Sequence, residues 1–324
     1  MKYTVALFLV AWVAALTSSP ARAVDNLPTP EAAAWLQKIS NAAHQMPYEG
    51  FFSFQIGNNK STPAQTLMVT NQPSPHATEN TVVSRLLTLD GSQREVRCTQ
   101  RAAFTMMING AQMQSQKRLS NRHFPDLLPT DANQLVNWYG VRLGTAEQIA
   151  GHDCTNIEII PKDGFRWGYV MCVDNRSGFP LRAMLVNDSG ESLMQYRFTE
   201  LKLGAPVKMD SAPAAKRVDA VPLMANERVT FSDLPPGFSR IAATRRKLHN
   251  HPGEVEHWVF SDGLTHVSLF LEPTRKPVDV IKGQSRQGLI NMMKRPVGSW
   301  QATVLGEAPM ATVEAISMGL QVRP

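Results

Sequence analysis

From Tyr48 to Leu203 apolar and polar residues alternate in short runs separated by turn-forming residues. A period of two is the mark of strands with one buried face. YEGFFSFQIG and AQTLMVTN open the series. TVVSRLLTL and SQREVRC follow around Asp90-Gly91, then AFTMMING and AQMQSQKRL around Asn109-Gly110. Asp-Gly and Asn-Gly between apolar runs are strong hairpin signals. AEQIAGHDCTNIEIIP, FRWGYVMCVD, LRAMLVND and LMQYRFTELKLG complete a meander, so a large antiparallel sheet is expected. HFPDLLPTDANQLVNWYG breaks the rhythm and reads as a loop plus a short helix.

Two flanking segments follow other rules. In TPEAAAWLQKISNAAHQM, Trp35, Ile39 and Ala43, with Leu36 alongside, form a stripe at helical spacing, suited to docking on a sheet. Thr29 is placed to cap this helix, Pro30 fits its first turn, and Glu31 favours its positive end. Residues 204–226, GAPVKMDSAPAAKRVDAVPLMAN, lose both periods and read as a linker, across which relative motion is the default. Beyond it, VFSDGLTHVSLFLEP predicts a hairpin about Asp262-Gly263. A two-residue turn there sets Ser261 opposite Leu264, Phe260 opposite Thr265 and Val259 opposite His266. Helical spacing returns in the last eleven or so residues. The fold class is mainly β with packed helices (α+β): a large antiparallel domain over 24–203, a linker over 204–226, and a smaller C-terminal α+β domain over 227–324.

Composition adds a compartment. Residues 1–23 join Lys2, an apolar run from Val5 to Leu16 and a small-x-small ending at Ala21-Arg22-Ala23. That pattern predicts a secretory signal peptide cleaved after Ala23. The run is short for a membrane span, and no later segment is long and apolar enough to be one. The formal charge of +6 for 324 residues becomes +4 without Lys2 and Arg22. This modest excess suits an acidic partner without requiring one, and without basic runs or a binding motif it speaks against nucleic acid. Cys98, Cys154 and Cys172 allow at most one internal bridge. Strand register around PKDG sets Cys154 roughly opposite Cys172.

Candidate chemistry is sparse. Ser261, Asp262 and His266 are the residue types of a hydrolase triad. Asp262, however, is held by its turn, and closeness in sequence does not make a triad. GQSRQG at 283–288 misses the nucleophile-elbow spacing by one residue. His249, His251 and His257 sit in a polar segment without a recognisable ligand spacing, so neither a metal nor a cofactor is expected. The basic and aromatic segment PKDGFRWGYVMCVDNRSGFPLRA is richer. Lys162, Arg166, Trp167, Tyr169 and Arg182 fit two descriptions: a solvated hairpin edge with cross-strand aromatic pairs, or a surface that meets an acylated anion.

RLLTLDGSQREVRC, IPKDGFRWGYVMCVDNRSGFPLRAMLV, QYRFTEL, LPPGFSRI, WVFSDGLTHVSLFLEP and ATVLGEAPMATVEAI occur in this order along the chain. Together they resemble the MucB/RseB family of periplasmic sigma-E regulators. The resemblance implies a large domain similar in fold to the lipoprotein carriers LolA and LolB, and a small C-terminal domain. It implies that the protein binds the periplasmic part of a membrane-spanning anti-sigma factor and shields it from regulated proteolysis. Release would follow the binding of lipopolysaccharide or the acyl chains of mislocalised lipoprotein. It further implies that Ser261, Asp262 and His266 are fold residues in a protein that is not an enzyme. The sequence departs in REVRCTQRAAFTMMING, where a cysteine and a methionine pair fall in a stretch expected to vary. A periplasmic lipid or lipoprotein carrier is the alternative, although a carrier has no need of residues 227–324 for partner capture. The sequence leaves self-association open.

Overall fold

The structure, a computed structural model, describes residues 26–57, 63–73, 82–92, 94–99, 103–108, 111–117, 123–207, 221–222, 228–247, 253–274 and 282–323. The expected signal peptide and most of the expected linker lie outside these residues. Helix α1 (Thr29–Gln45) leads into strands β1 (Tyr48–Ile56), β2 (Gln65–Asn71), β3 (Val82–Thr88), β4 (Arg94–Thr99), β5 (Ala103–Ile108) and β6 (Ala111–Lys117). A 3-10 turn, η1 (Ala132–Asn137), precedes β7 (Tyr139–Ile149), β8 (His152–Pro161), β9 (Gly168–Asp174), β10 (Pro180–Val186) and β11 (Ser192–Leu203). All eleven strands form one sheet in the order β6-β5-β4-β3-β2-β1-β11-β10-β9-β8-β7.

This order explains the break in the middle of the sequence. β6 and β7 are the two edges, so the chain between them must cross the sheet. It does so on the α1 side. Phe124, Leu128 and Leu135 enter the core, Ser40 donates to the Pro129 carbonyl at 2.6 Å, and Gln37 donates to that of Thr130 at 2.7 Å. α1 buries Ala32, Leu36, Ile39 and Ala43, with Trp35 at the margin, close to the expected stripe. The helix begins one residue early. Pro28 occupies the cap position, its carbonyl accepts from the Ala32 N–H at 2.9 Å, and Thr29 makes no side-chain cap. Aromatic rings fill the space beneath. Phe52 meets Phe124 edge-on at 5.1 Å, and Tyr196 stacks on both Phe124 and Phe54. Cys154 and Cys172 are joined by a disulfide across β8 and β9.

The second sheet has the order β12-β14-β15-β16-β19-β18-β17, built from β12 (Val221–Pro222), β14 (Ser239–Lys247), β15 (Glu254–Ser261), β16 (His266–Pro273), β17 (Gly283–Gln287), β18 (Ile290–Val297) and β19 (Trp300–Gly306). A separate ribbon pairs β13 (Val229–Phe231) with β20 (Leu320–Val322). The core is Trp258, Phe260, Val267, Leu269, Leu271 and Val304, against Val313 and Ile316 of helix α2 (Met310–Gly319). The terminal helix therefore starts after Pro309, earlier than its spacing suggests, and strand β20 follows it. Ser285 of GQSRQG lies in β17 opposite Met292, so that segment is an edge strand and not an elbow.

Candidate functional site at the junction of the two sheets

The β15–β16 hairpin corrects the expected register. Ser261 pairs with His266, Phe260 with Val267 and Val259 with Ser268, so four residues, 262–265, make the connection instead of two. The cause is the Asp262 side chain. Its Oδ1 accepts from the backbone N–H groups of Leu264 (2.9 Å) and Thr265 (2.7 Å), and the Ser261 hydroxyl accepts from that of Gly263 at 2.9 Å. An aspartate satisfying two backbone donors builds a wider turn than Asp-Gly alone.

That turn belongs to the first sheet's core as much as to its own. Leu264 packs in the cluster with Leu135 and Tyr139. Asp262 Oδ2 accepts from the Tyr139 hydroxyl at 2.8 Å and lies 3.4 Å from Arg166 Nη1. Both side chains of this ion pair are fully buried. The Arg166 guanidinium carbon sits 5.5, 5.6 and 5.4 Å from the rings of Trp138, Tyr139 and Phe238. Its Nε is 3.1 Å from Asp163, and its Nη2 donates to the Pro236 carbonyl. Trp138, Tyr139 and Asp163 come from the first sheet's residues, Pro236, Phe238 and Asp262 from the second's. The Tyr139 hydroxyl is held well above the usual tyrosine range, first by burial and then by the Asp262 charge.

A second contact lies beside the first. Leu289, at the tip between β17 and β18, packs on Trp167, Leu185, Leu193 and Met194. Tyr169, Tyr196 and Phe54 connect this patch with the main core. Burial, and next the charge of Glu307, pushes the Tyr169 and Tyr196 hydroxyls upward. Thr312 of α2 donates to the Phe165 carbonyl. Glycine makes room in this junction. At Gly237, with φ of +81°, an added Cβ would lie 2.3 Å from the Trp138 ring.

Of the five expected ligand residues, the structure brings three together. Arg166 and Trp167 are at the junction, with Tyr169 next to them. Lys162 is exposed and donates to the Val136 carbonyl at 2.7 Å. Arg182 lies between core residues Leu181 and Ala183, so strand alternation points it to the opposite face. There it forms a two-pronged pair with Glu147 (2.8 and 2.7 Å) and reaches Asn156 at 2.9 Å. Those donors hold the Glu147 carboxyl below its ordinary value, Arg182 first and Asn156 second. His257 contacts Ser268 at 3.0 Å and stacks on Phe270, while His249 and His251 lie outside the described residues. Sequence reasoning missed Tyr139, Phe238, Leu264 and Leu289. Two carried a readable sign, since Leu264 and Leu289 are large apolar residues at turn tips, where polar residues are the rule.

Residues 31–216 match the MucB/RseB N-terminal domain and residues 224–321 the MucB/RseB C-terminal domain. The sigma factor AlgU regulatory protein MucB of Pseudomonas aeruginosa is 28% identical over 312 residues, 93% of this chain and 94% of its own. The sigma-E factor regulatory protein RseB of Escherichia coli K12 is 25% identical over 307 residues, 90% and 91% of the two chains. A solved MucA/MucB complex from P. aeruginosa superimposes with a TM-score of 0.68 at 25% identity, covering 91% of this chain and 99% of that one. No described helix is long and apolar enough to cross a membrane. With matches to both family domains across most of its length, the chain belongs to the MucB/RseB family.

Proposed function

We propose that this protein is a periplasmic negative regulator of an envelope-stress sigma factor of the sigma-E type. It binds the periplasmic part of a membrane-spanning anti-sigma factor and protects that factor from regulated proteolysis. The observation that carries this reading is the likeness of both units to a relative solved with its MucA partner. The working form would be residues 24–324, exported and cleaved after Ala23, with a large LolA/LolB-like domain over 24–203 and a small one over 227–324 joined through 204–226. It acts by binding, without catalysis. An amphiphile, lipopolysaccharide or the acyl chains of a mislocalised lipoprotein, triggers release. The mechanism is linkage: partner and amphiphile favour different states, so each lowers the other's affinity by the same factor.

The amphiphile reading places phosphate near Arg166 and apolar chains along Trp167 and Tyr169. Two features support that placement, the confluence of these residues at the junction and the apolar seat around Trp167. The test is displacement of a labelled anti-sigma-factor peptide by lipopolysaccharide. Dose-dependent release is expected from the wild-type protein. A peptide retained at saturating lipopolysaccharide would remove amphiphile-triggered release, and failure to bind the peptide at all would remove the regulator reading.

A further inference from the structure

Among the described residues Arg166 is the largest charged side chain that is buried completely, yet its bonding there is incomplete. Among the described residues only Nη2 finds a hydrogen-bond acceptor, the Pro236 carbonyl, while Nε and Nη1 have carboxylates nearby but no hydrogen bond. Buried guanidinium donors ordinarily find acceptors, and unmet ones call for an explanation. At Nη1 the shortage traces to Asp262. Its Oδ1 is taken up by the N–H groups of Leu264 and Thr265, which leaves Oδ2 alone to face both the Tyr139 hydroxyl and Arg166 Nη1. One oxygen serves two donors from the other unit.

We propose that Arg166 and Tyr139 form a phosphate-binding site whose resident occupant is the Asp262 carboxylate of the same chain. The site is occupied by Asp262 when the two units are docked and becomes available to a phosphate monoester when they part. A phosphate group offers three oxygens and a two-pronged match to guanidinium, so it satisfies donors that a single carboxylate oxygen cannot. Separation also removes Phe238 and Pro236, the second unit's share of the surround, and leaves Trp138, Tyr139 and Asp163 with the arginine. Leu289 would leave its seat on Trp167 in the same motion and uncover an apolar surface beside the cation. Phosphate binding and docking of the units are thus mutually exclusive, which supplies the two states that linkage needs. This inference rests on the amphiphile reading above and names the group that reads the head.

The test compares dodecyl phosphate with dodecyl maltoside, two probes sharing a chain and differing in head group, on the full exported chain. Asp262→Asn keeps an acceptor for the Leu264 and Thr265 N–H groups while removing the resident charge. It should tighten dodecyl phosphate binding at least about tenfold, because a buried cation stripped of its partner disfavours the docked state. Phe238→Leu loosens the surround from the other unit and should act in the same direction. Arg166→Gln should abolish the preference for phosphate over maltoside. Unchanged or weaker phosphate binding in folded Asp262→Asn and Phe238→Leu, or a phosphate preference that survives Arg166→Gln, overturns the shared site. Peptide displacement from the wild type is scored separately, so the sensor reading and this site can fail independently.

Discussion

Asp262 divides its two oxygens between its own turn and another part of the fold, and its neighbours take up the remaining local bonds. Ser261 accepts from Gly263 and pairs across the hairpin with His266. Ser261→Ala should therefore cost about 1 kcal/mol, the usual net worth of one hydrogen bond, read as a lower denaturant midpoint. It should leave anti-sigma-factor binding intact, and the same binding assay on His266→Ala should match wild type. A hydrolytic activity lost in either folded variant would contradict the structural assignment. Asp174 sets a pH dependence. Burial raises its carboxyl, but the Ser177 hydroxyl and N–H, and then His152, more than offset this and hold it below 3.8. A carboxyl lowered on folding stabilises above its unfolded value. That contribution is withdrawn as the pH falls from about 4 through the lowered native value. Asp174→Asn should remove this acid dependence, measured as melting temperature against pH.

Elements respond to their staples and seats. The Cys154–Cys172 bridge joins β8 to β9 across a separation of 18 residues. Replacing both cysteines by serine should lower stability by about 3 kcal/mol in urea unfolding, as expected for a loop of that size. Reductant should have the same effect on the wild type and none on the double variant. At the β17–β18 tip, Leu289→Ala removes the side chain seated on Trp167 and Leu185. Large-to-small changes at buried leucines cost about 2–5 kcal/mol, and here the loss should fall on docking. Calorimetry should show the two units melting further apart than in wild type, whereas a loss confined to the second unit's own transition would place Leu289 in that unit's core alone.

Across the whole molecule, the described contacts that join the two sheets are dissimilar in kind, among them a buried ion pair, Leu264 in the first sheet's core, an apolar tip and a glycine packed under a tryptophan. Gly237→Ala would place a methyl 2.3 Å from the Trp138 ring at a left-handed φ. It should open the junction while sparing each core. Small-angle scattering should report a larger radius of gyration for this variant than for wild type, and an unchanged profile would show that docking does not depend on this packing. The loss of both periods over 204–226, a segment rich in Ala, Pro and charge, implied relative motion of the two units, and the surfaces at which they meet lie at turn tips far away in sequence.

Periodicity alone determined most of the strands, the α1 stripe and the class of the fold, because each is a local response of the backbone to which side chains must avoid water. The recurrence of the motifs in order pointed to the family. Their spacing could not foresee how Asp262 would be used. A hairpin register set by a side-chain acceptor, a strand order that sends residues 123–138 across the sheet, and an arginine buried between two units all depend on partners at long sequence separation. Arg166 and Arg182 look alike in the chain, each basic and near aromatic residues. Tertiary structure alone separates them, since strand alternation turns Arg182 to the opposite face while the loop before β9 carries Arg166 into the junction, where Asp262 of the other unit meets it.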